Sequence, residues 1–134
     1  MSANMFKIHE AAKLSGLSTK MIRNYERLGL LRNIARSSKD YRLYHEHDIH
    51  NLKFIHRARQ LNFPLQTIKK LLALWQNSSR LNSEVHNIAS QHIAGIRQQI
   101  QHLESIVAVL QKLVDCCGGE HQPSCPILED LAKN

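Results

Sequence analysis

Apolar residues recur along this chain with two different rhythms, and the change near residue 77 divides it. In residues 7–14, Ile8, Ala11 and Ala12 fall at helical spacing. Ser15-Gly16-Leu17 then reads as a turn. Ser18 suits the N-cap of a second helix, because its hydroxyl can accept an orphan backbone N–H. That helix, Thr19 to Leu28, turns Met21, Ile22 and Tyr25 toward a core and ends at Gly29, a C′ residue. Two short helices joined by a tight Gly-containing turn match the helix-turn-helix pattern.

From Leu30 to Tyr44 the helical period is lost. Leu30-Leu31 and Tyr41-Arg42-Leu43-Tyr44 are expected to form short strands around a polar tip, Arg36-Ser37-Ser38-Lys39-Asp40, which makes a β-hairpin wing. A third helix is expected from His45 to Leu61, with Ile49, Leu52, Phe54, Ile55 and Ala58 apolar. Asn62-Phe63-Pro64 interrupts it, since proline cannot continue a helix. A fourth runs from Leu65 to Trp75 with Ile68, Leu71, Leu72 and Trp75 on one side, and Asn77-Ser78-Ser79 is a polar hinge.

Beyond the hinge the pattern becomes regular. Ala89, Ile93, Ile96, Ile100, Leu103, Val107, Leu110 and Val114 follow alternating steps of four and three, an a/d heptad seam. A helix from Glu84 to Val114 would be on the order of 45 Å long. The N-terminal half is too small to cover such a seam, so the pattern predicts pairing with a second copy of the chain, in either strand direction.

Charge separates the same two halves. Residues 1–75 hold 14 Lys/Arg against 5 Asp/Glu, whereas residues 76–134 hold 4 against 6, within a net charge of +7 over 134 residues. A basic front and a mildly acidic back point to a polyanion-binding half joined to one with another task. No stretch approaches the roughly 20 apolar residues of a membrane span. The opening Met-Ser-Ala-Asn-Met-Phe-Lys lacks the apolar core of a signal peptide, so a cytoplasmic location is expected. No Ser-His-Asp, paired-carboxylate, Gly-rich phosphate or His-Glu-x-x-His motif supports an enzyme.

The basic side chains have a natural place on this scaffold. Thr19, Lys20, Arg23 and Asn24 form a polar face on the second helix, after Ser18. Lys and Arg there can meet phosphates or guanine edges in the major groove of double-stranded DNA. The wing adds Arg36, Lys39, Tyr41 and Arg42, and the third helix adds Lys53, Arg57 and Arg59.

The run Arg23-Asn24-Tyr25-Glu26-Arg27-Leu28-Gly29-Leu30-Leu31 resembles the Arg-x-Tyr-Glu-x-x-Gly-Leu-Leu signature of MerR-family regulators. Arg36-Ser37 with Tyr41-Arg42-Leu43-Tyr44 is similar to that family's wing. Phe54-Ile55, Ala58-Arg59-Gln60-Leu61 and Phe63-Pro64-Leu65 are similar to its third and fourth helices. The likeness covers essentially the whole chain. It departs at Asn24, where an aromatic residue is usual, and at Asp40 and Asn62, where glycine is usual. Asp and Asn tolerate the left-handed conformation better than most residues. The resemblance implies DNA contact by Lys20, Arg23, Tyr25, Arg36 and Arg42, a homodimer on a palindromic promoter operator, and action on RNA polymerase by distorting the promoter.

All three cysteines fall within residues 116–125, which is no disulfide framework; in a reducing compartment such a cluster points to metal or redox chemistry. Cys117 and Cys125 bracket a polar loop in which Gly118 and Gly119 supply backbone freedom to bring two sulfurs together. Pro126 suits the first position of a short helix, Pro126 to Leu131, with Cys125 as its N-cap. The Cys117…Cys125-Pro126-Ile127-Leu128 run most resembles CueR-type copper sensors of the family, which implies Cys117 and Cys125 as ligands, with Cys116 a bystander or back-up and His121 a loop residue. Divalent-ion sensors of the family carry a further Cys at the start of the dimerisation helix; here Asn82 and Ser83 stand there. By resemblance this favours Cu(I), with Ag(I) and Au(I) as mimics, because soft d10 ions accept two thiolates. A divalent Zn, Cd or Pb sensor and a thiol redox switch are the alternatives.

The expected fold is therefore mainly α. A winged helix-turn-helix DNA-binding domain occupies 1–75, a hinge 76–83, a coiled-coil dimerisation helix 84–115, and a metal-binding loop with a short helix 116–134.

Overall fold

The structure, a computed structural model, describes residues 5–31, 34–116 and 124–133. In order they form β1 (Met5–Phe6), α1 (Ile8–Ser15), α2 (Thr19–Arg27), β2 (Ala35–Arg36), β3 (Arg42–His45), α3 (Glu46–Gln60), α4 (Leu65–Gln76), α5 (Asn82–Asp115) and α6 (Pro126–Leu131). Two compact units divide the chain, Met1–Val85 and His86–Asn134.

In the first unit each helix end has a local chemical cause. The Glu10 carboxylate accepts from the Lys7 backbone N–H (3.3 Å) at the start of α1, and Gly16 ends that helix at φ 80°. The Ser18 hydroxyl accepts from the Met21 N–H (3.1 Å) and caps α2. At the other end Leu30 N–H reaches the Tyr25 carbonyl (2.9 Å) and Gly29 N–H the Glu26 carbonyl (3.1 Å), with Gly29 at φ 82°. This pair of bonds is a Schellman motif, which needs a left-handed residue at C′. The end of α3 repeats the motif with asparagine: Phe63 N–H bonds the Ala58 carbonyl (3.1 Å), Asn62 N–H bonds the Arg59 carbonyl (3.0 Å), and Asn62 lies at φ 66°. Pro64 then caps α4. Asp48 accepts from the His45 N–H (2.8 Å) and caps α3.

The three short strands form one sheet in the order β1-β3-β2. Both pairings are antiparallel, with Phe6 opposite Tyr44 and Arg36 opposite Arg42. Ser37 and Asp40 close the wing turn. Ser37 N–H donates to the Tyr41 carbonyl (2.8 Å), Asp40 N–H donates to the Ser37 carbonyl (2.9 Å), and Asp40 lies at φ 65°. The Asp and Asn that stand in place of glycine therefore both adopt the left-handed conformation.

The expected wing needs correction. Leu30 and Leu31 form no strand; they are buried in the core, and the hairpin's first strand is Ala35–Arg36. An apolar pair after a helix end satisfies burial as well as a strand would, so pattern alone does not separate the two. The sheet also gains β1, which two residues are too few to reveal by alternation. His45 belongs to β3 rather than α3, and Leu61 lies beyond α3. Gln76 closes α4, while Asn82 and Ser83 already belong to α5, so the connection runs over 77–81 instead of 76–83.

The core joins all four helices and the wing. Ala11 of α1, Ile22 and Tyr25 of α2, Tyr44 of β3, Leu52 and Ile55 of α3 and Ile68 of α4 are all buried in one cluster. Phe54 stacks on Trp75 at 4.7 Å between ring centroids, which covers one face of an otherwise exposed indole.

In the second unit α5 belongs to an unbroken 34-residue helix with no buried residue. Its length is on the order of 50 Å. Of the a/d positions, Ala89 and Ile96 are half-buried, while Ile93, Ile100, Leu103, Val107, Leu110 and Val114 are exposed. Helix α6 begins with Pro126 at its first position and Cys125 as N-cap, and Leu128 and Leu131 are exposed. Among the described residues no helix is long and apolar enough to cross a membrane.

Leu52 lies fully buried at the centre of the first unit. Leu52→Ala should destabilise that unit by about 2–5 kcal/mol, read from the midpoint of urea unfolding.

Candidate nucleic-acid interface and thiol site

Burial of Ile22 and Tyr25 turns the opposite face of α2 outward. Lys20 and Arg23 are exposed there, and Thr19 is half-buried. The expectation for Tyr25 is corrected: it is 1% exposed and its hydroxyl is closed off from solvent, so it serves the core instead of the surface. A tyrosine three residues after Ile22 falls on the same side of the helix, which explains why it packs. Ser18 spends its hydroxyl as the α2 cap.

The wing carries its cations in different ways. Arg36 is held to Asp40, with Nη1 3.4 Å from the carboxylate and 3.3 Å from the Asp40 carbonyl. Lys39 and Tyr41 are exposed. Lys7 places its ammonium 5.8 Å from the centroid of the Tyr41 ring, within cation–π range. Arg42 reaches back to α2, where its Nε lies 2.8 Å from Oε2 of Glu26. Arg59 stands apart from this group: its Nη1 donates to the Phe63 carbonyl (3.2 Å) and braces the α3–α4 turn.

A cleft of 410 Å³ joins α1, α2 and the wing. Lys7, His9, Arg23, Asp40, Tyr41 and Arg42 line it, together with Ile8. Arg23, Tyr41 and Arg42 were foreseen at this surface. Lys7 and His9 were missed, because β1, the strand that brings them to β3, leaves no periodic signal.

Tyr44 lies fully buried beneath this surface. Its phenol is pushed up to about 12, first by burial and then by the negative charge of Glu26, while Arg42 and Arg23 pull the other way. Its hydroxyl has no hydrogen-bond partner.

At the other end of the chain, Cys116 is exposed and Cys125 is half-buried, both with free thiols. Cys125 makes no side-chain capping bond to α6. Cys117 and His121 lie outside the described residues. Asn82 and Ser83 are exposed in the first turn of α5. Among the described residues no group of three or more His, Cys, Asp or Glu side chains could hold a metal ion.

Residues 6–75 match the model of the MerR HTH family regulatory proteins, and residues 49–113 match that of the MerR DNA-binding region. The chain belongs to the MerR family. The transcriptional regulator HmrR of Sinorhizobium medicae is 44% identical over 126 residues, covering 94% of this chain and 86% of HmrR. The regulator CueR of Escherichia coli O6:H1 is 34% identical over 125 residues, covering 93% of each. The crystal structure of PbrR691 from Ralstonia metallidurans CH34, in complex with lead(II), superposes with a TM-score of 0.84 at 32% identity, over 95% of this chain and 99% of that one. MerR-family proteins are transcriptional regulators, not enzymes; they bind promoter DNA and act as dimers.

The raised titration of Tyr44 has a definite sign. An ordinary tyrosine ionises near 10.0, so the unfolded chain loses this proton first, and the stability Tyr44 contributes is complete below pH 10 and lost as pH rises toward about 12. Urea midpoints measured at pH 8 and pH 10.5 should therefore fall more for the wild type than for Tyr44→Phe. Equal falls would show that Tyr44 does not titrate differently in the folded chain.

Proposed function

We propose that this chain is a metal-responsive regulator that binds a palindromic promoter operator as a homodimer and activates copper-resistance or efflux genes when Cu(I) binds Cys117 and Cys125. Ag(I) and Au(I) act as mimics. The observation that carries the metal reading is the donor chemistry at the C-terminus. Cys125 is a half-buried free thiol at the start of α6 with no capping bond to make, next to a second thiol, Cys117, only a short loop away in sequence. Soft monovalent ions are held well by two thiolates. Cys117 and Cys125 would hold such an ion, which would link their two thiolates.

DNA contact is assigned to Lys20, Arg23, Arg36, Lys39, Tyr41 and Arg42, with Ser18 and Thr19 at the start of α2 and Arg59 at the α3–α4 turn. Dimerisation is assigned to the seam from Ala89 to Val114, whose exposed apolar residues need cover. Response requires that metal bind one arrangement of the dimer more tightly than another. RNA polymerase is the partner that reads the altered promoter, by family resemblance, and promoter binding implies a cytoplasmic location.

Lead(II) in the PbrR691 crystal structure favours a second reading, a divalent-ion sensor. Asn82 and Ser83 weigh against it. Neither supplies a thiolate at the start of α5.

Titration of the reduced protein with Cu(I), against competing Zn(II) and Pb(II), should show one Cu(I) bound per site with thiolate-to-metal absorption and little displacement. Cys117→Ser and Cys125→Ser should each abolish the metal response while operator binding stays within about twofold, because neither cysteine belongs to the first unit. Retained copper induction in both variants, or tighter binding of Pb(II) than Cu(I), would sink the proposal.

A further inference from the structure

We propose that Glu26 is a positioning residue that sets the wing against α2 and aims Arg42 at a DNA phosphate, so that a carboxylate on the DNA side strengthens DNA binding. The inference rests on the reading of this face as the DNA-binding surface. Glu26 sits in the last turn of α2, three residues after Arg23 and therefore beside it on the helix surface. Arg42 opens β3, a separate element. Arg42 Nε and Glu26 Oε2 are 2.8 Å apart, and both atoms are shielded from solvent although the side chains are 37% and 21% exposed. Neither atom has a hydrogen-bond partner, so the contact is a buried ion pair held by charge. Fixing Nε in this way leaves the two Nη groups, the end of the fork that suits a phosphate. Arg42 and Arg23 then line the same cleft, one from the wing and one from α2.

The surrounding groups support a built arrangement rather than a chance surface pair. Tyr44 is fully buried and near enough to the pair for the charges of both Glu26 and Arg42 to act on its phenol. Asp40, the other acid of the cleft, is engaged by Arg36 and does not compete for Arg42. Without Glu26, Arg42 would lose its anchor and the wing its charged tie to α2.

The alternative view of Glu26 predicts the opposite sign. An acid near a polyanion repels it, so removing the charge should strengthen binding at every sequence. The test uses the full-length dimer and a labelled duplex selected by the wild-type chain from a random-sequence pool. Glu26→Ala should weaken binding about tenfold, the size of losing one charge-assisted contact. Glu26→Gln, which keeps an acceptor for Arg42, should fall between Glu26→Ala and the wild type. The slope of log affinity against log salt should become shallower by about 0.9 in Glu26→Ala, one phosphate contact fewer. In an Arg42→Ala background, Glu26→Ala should have no further effect, whereas a general loss of fold would add its penalty there too. Tighter binding by Glu26→Ala, or an equal loss in the Arg42→Ala background, would overturn the proposal. Failure of the wild-type chain to select any duplex would instead overturn the DNA-binding reading on which it stands.

Discussion

The outward basic face of the first unit depends on the burial of one side of a nine-residue helix. A helix that short is not stable in water by itself, because the cost of nucleation is spread over too few bonds. It is Ile22 and Tyr25, seated in the cluster built from Leu52, Ile55 and Ile68, that hold α2 in shape. The same burial decides which way the helix is rotated. Lys20 and Arg23 face outward because their neighbours face inward. A defect in the core is therefore also a misdirection of the basic face.

Acidic residues in the basic half follow a consistent pattern. Residues 1–75 contain five of them. Glu10 bonds the backbone at the start of α1, Asp48 does so at the start of α3, Asp40 engages Arg36 in the wing turn, and Glu26 meets Arg42. Four of the five thus have an internal partner, and two of these four sit at helix N-termini, where a negative charge is favoured. Acids are tolerated here where they organise the chain, which leaves the outward field basic.

Much of this was readable from the residues. Ser18, Gly29 and Pro64 mark helix ends by chemistry that acts locally, and the a/d pattern from Ala89 to Val114 repeats often enough to be plain. The α6 range follows from proline at a first helical position. The strands were poorly readable, because β1 and β2 have two residues each and exist through pairing with β3 instead of their own pattern. Leu30 and Leu31 misled for the same reason: apolar character reports burial, not the element that achieves it. Tyr25 was assigned to the surface by resemblance, although its spacing from Ile22 placed it in the core. The tie between Glu26 and Arg42 joins residues sixteen positions apart and leaves no mark in local sequence.

The lack of any buried residue on α5 has a consequence for how the protein lives in a cell. A 34-residue helix whose apolar seam lies open gains stability from any second copy that covers the seam. Stability of the second unit is therefore a matter of concentration as much as of contacts. Pairing rises with the square of concentration, so cover of the seam is lost first where copies are few.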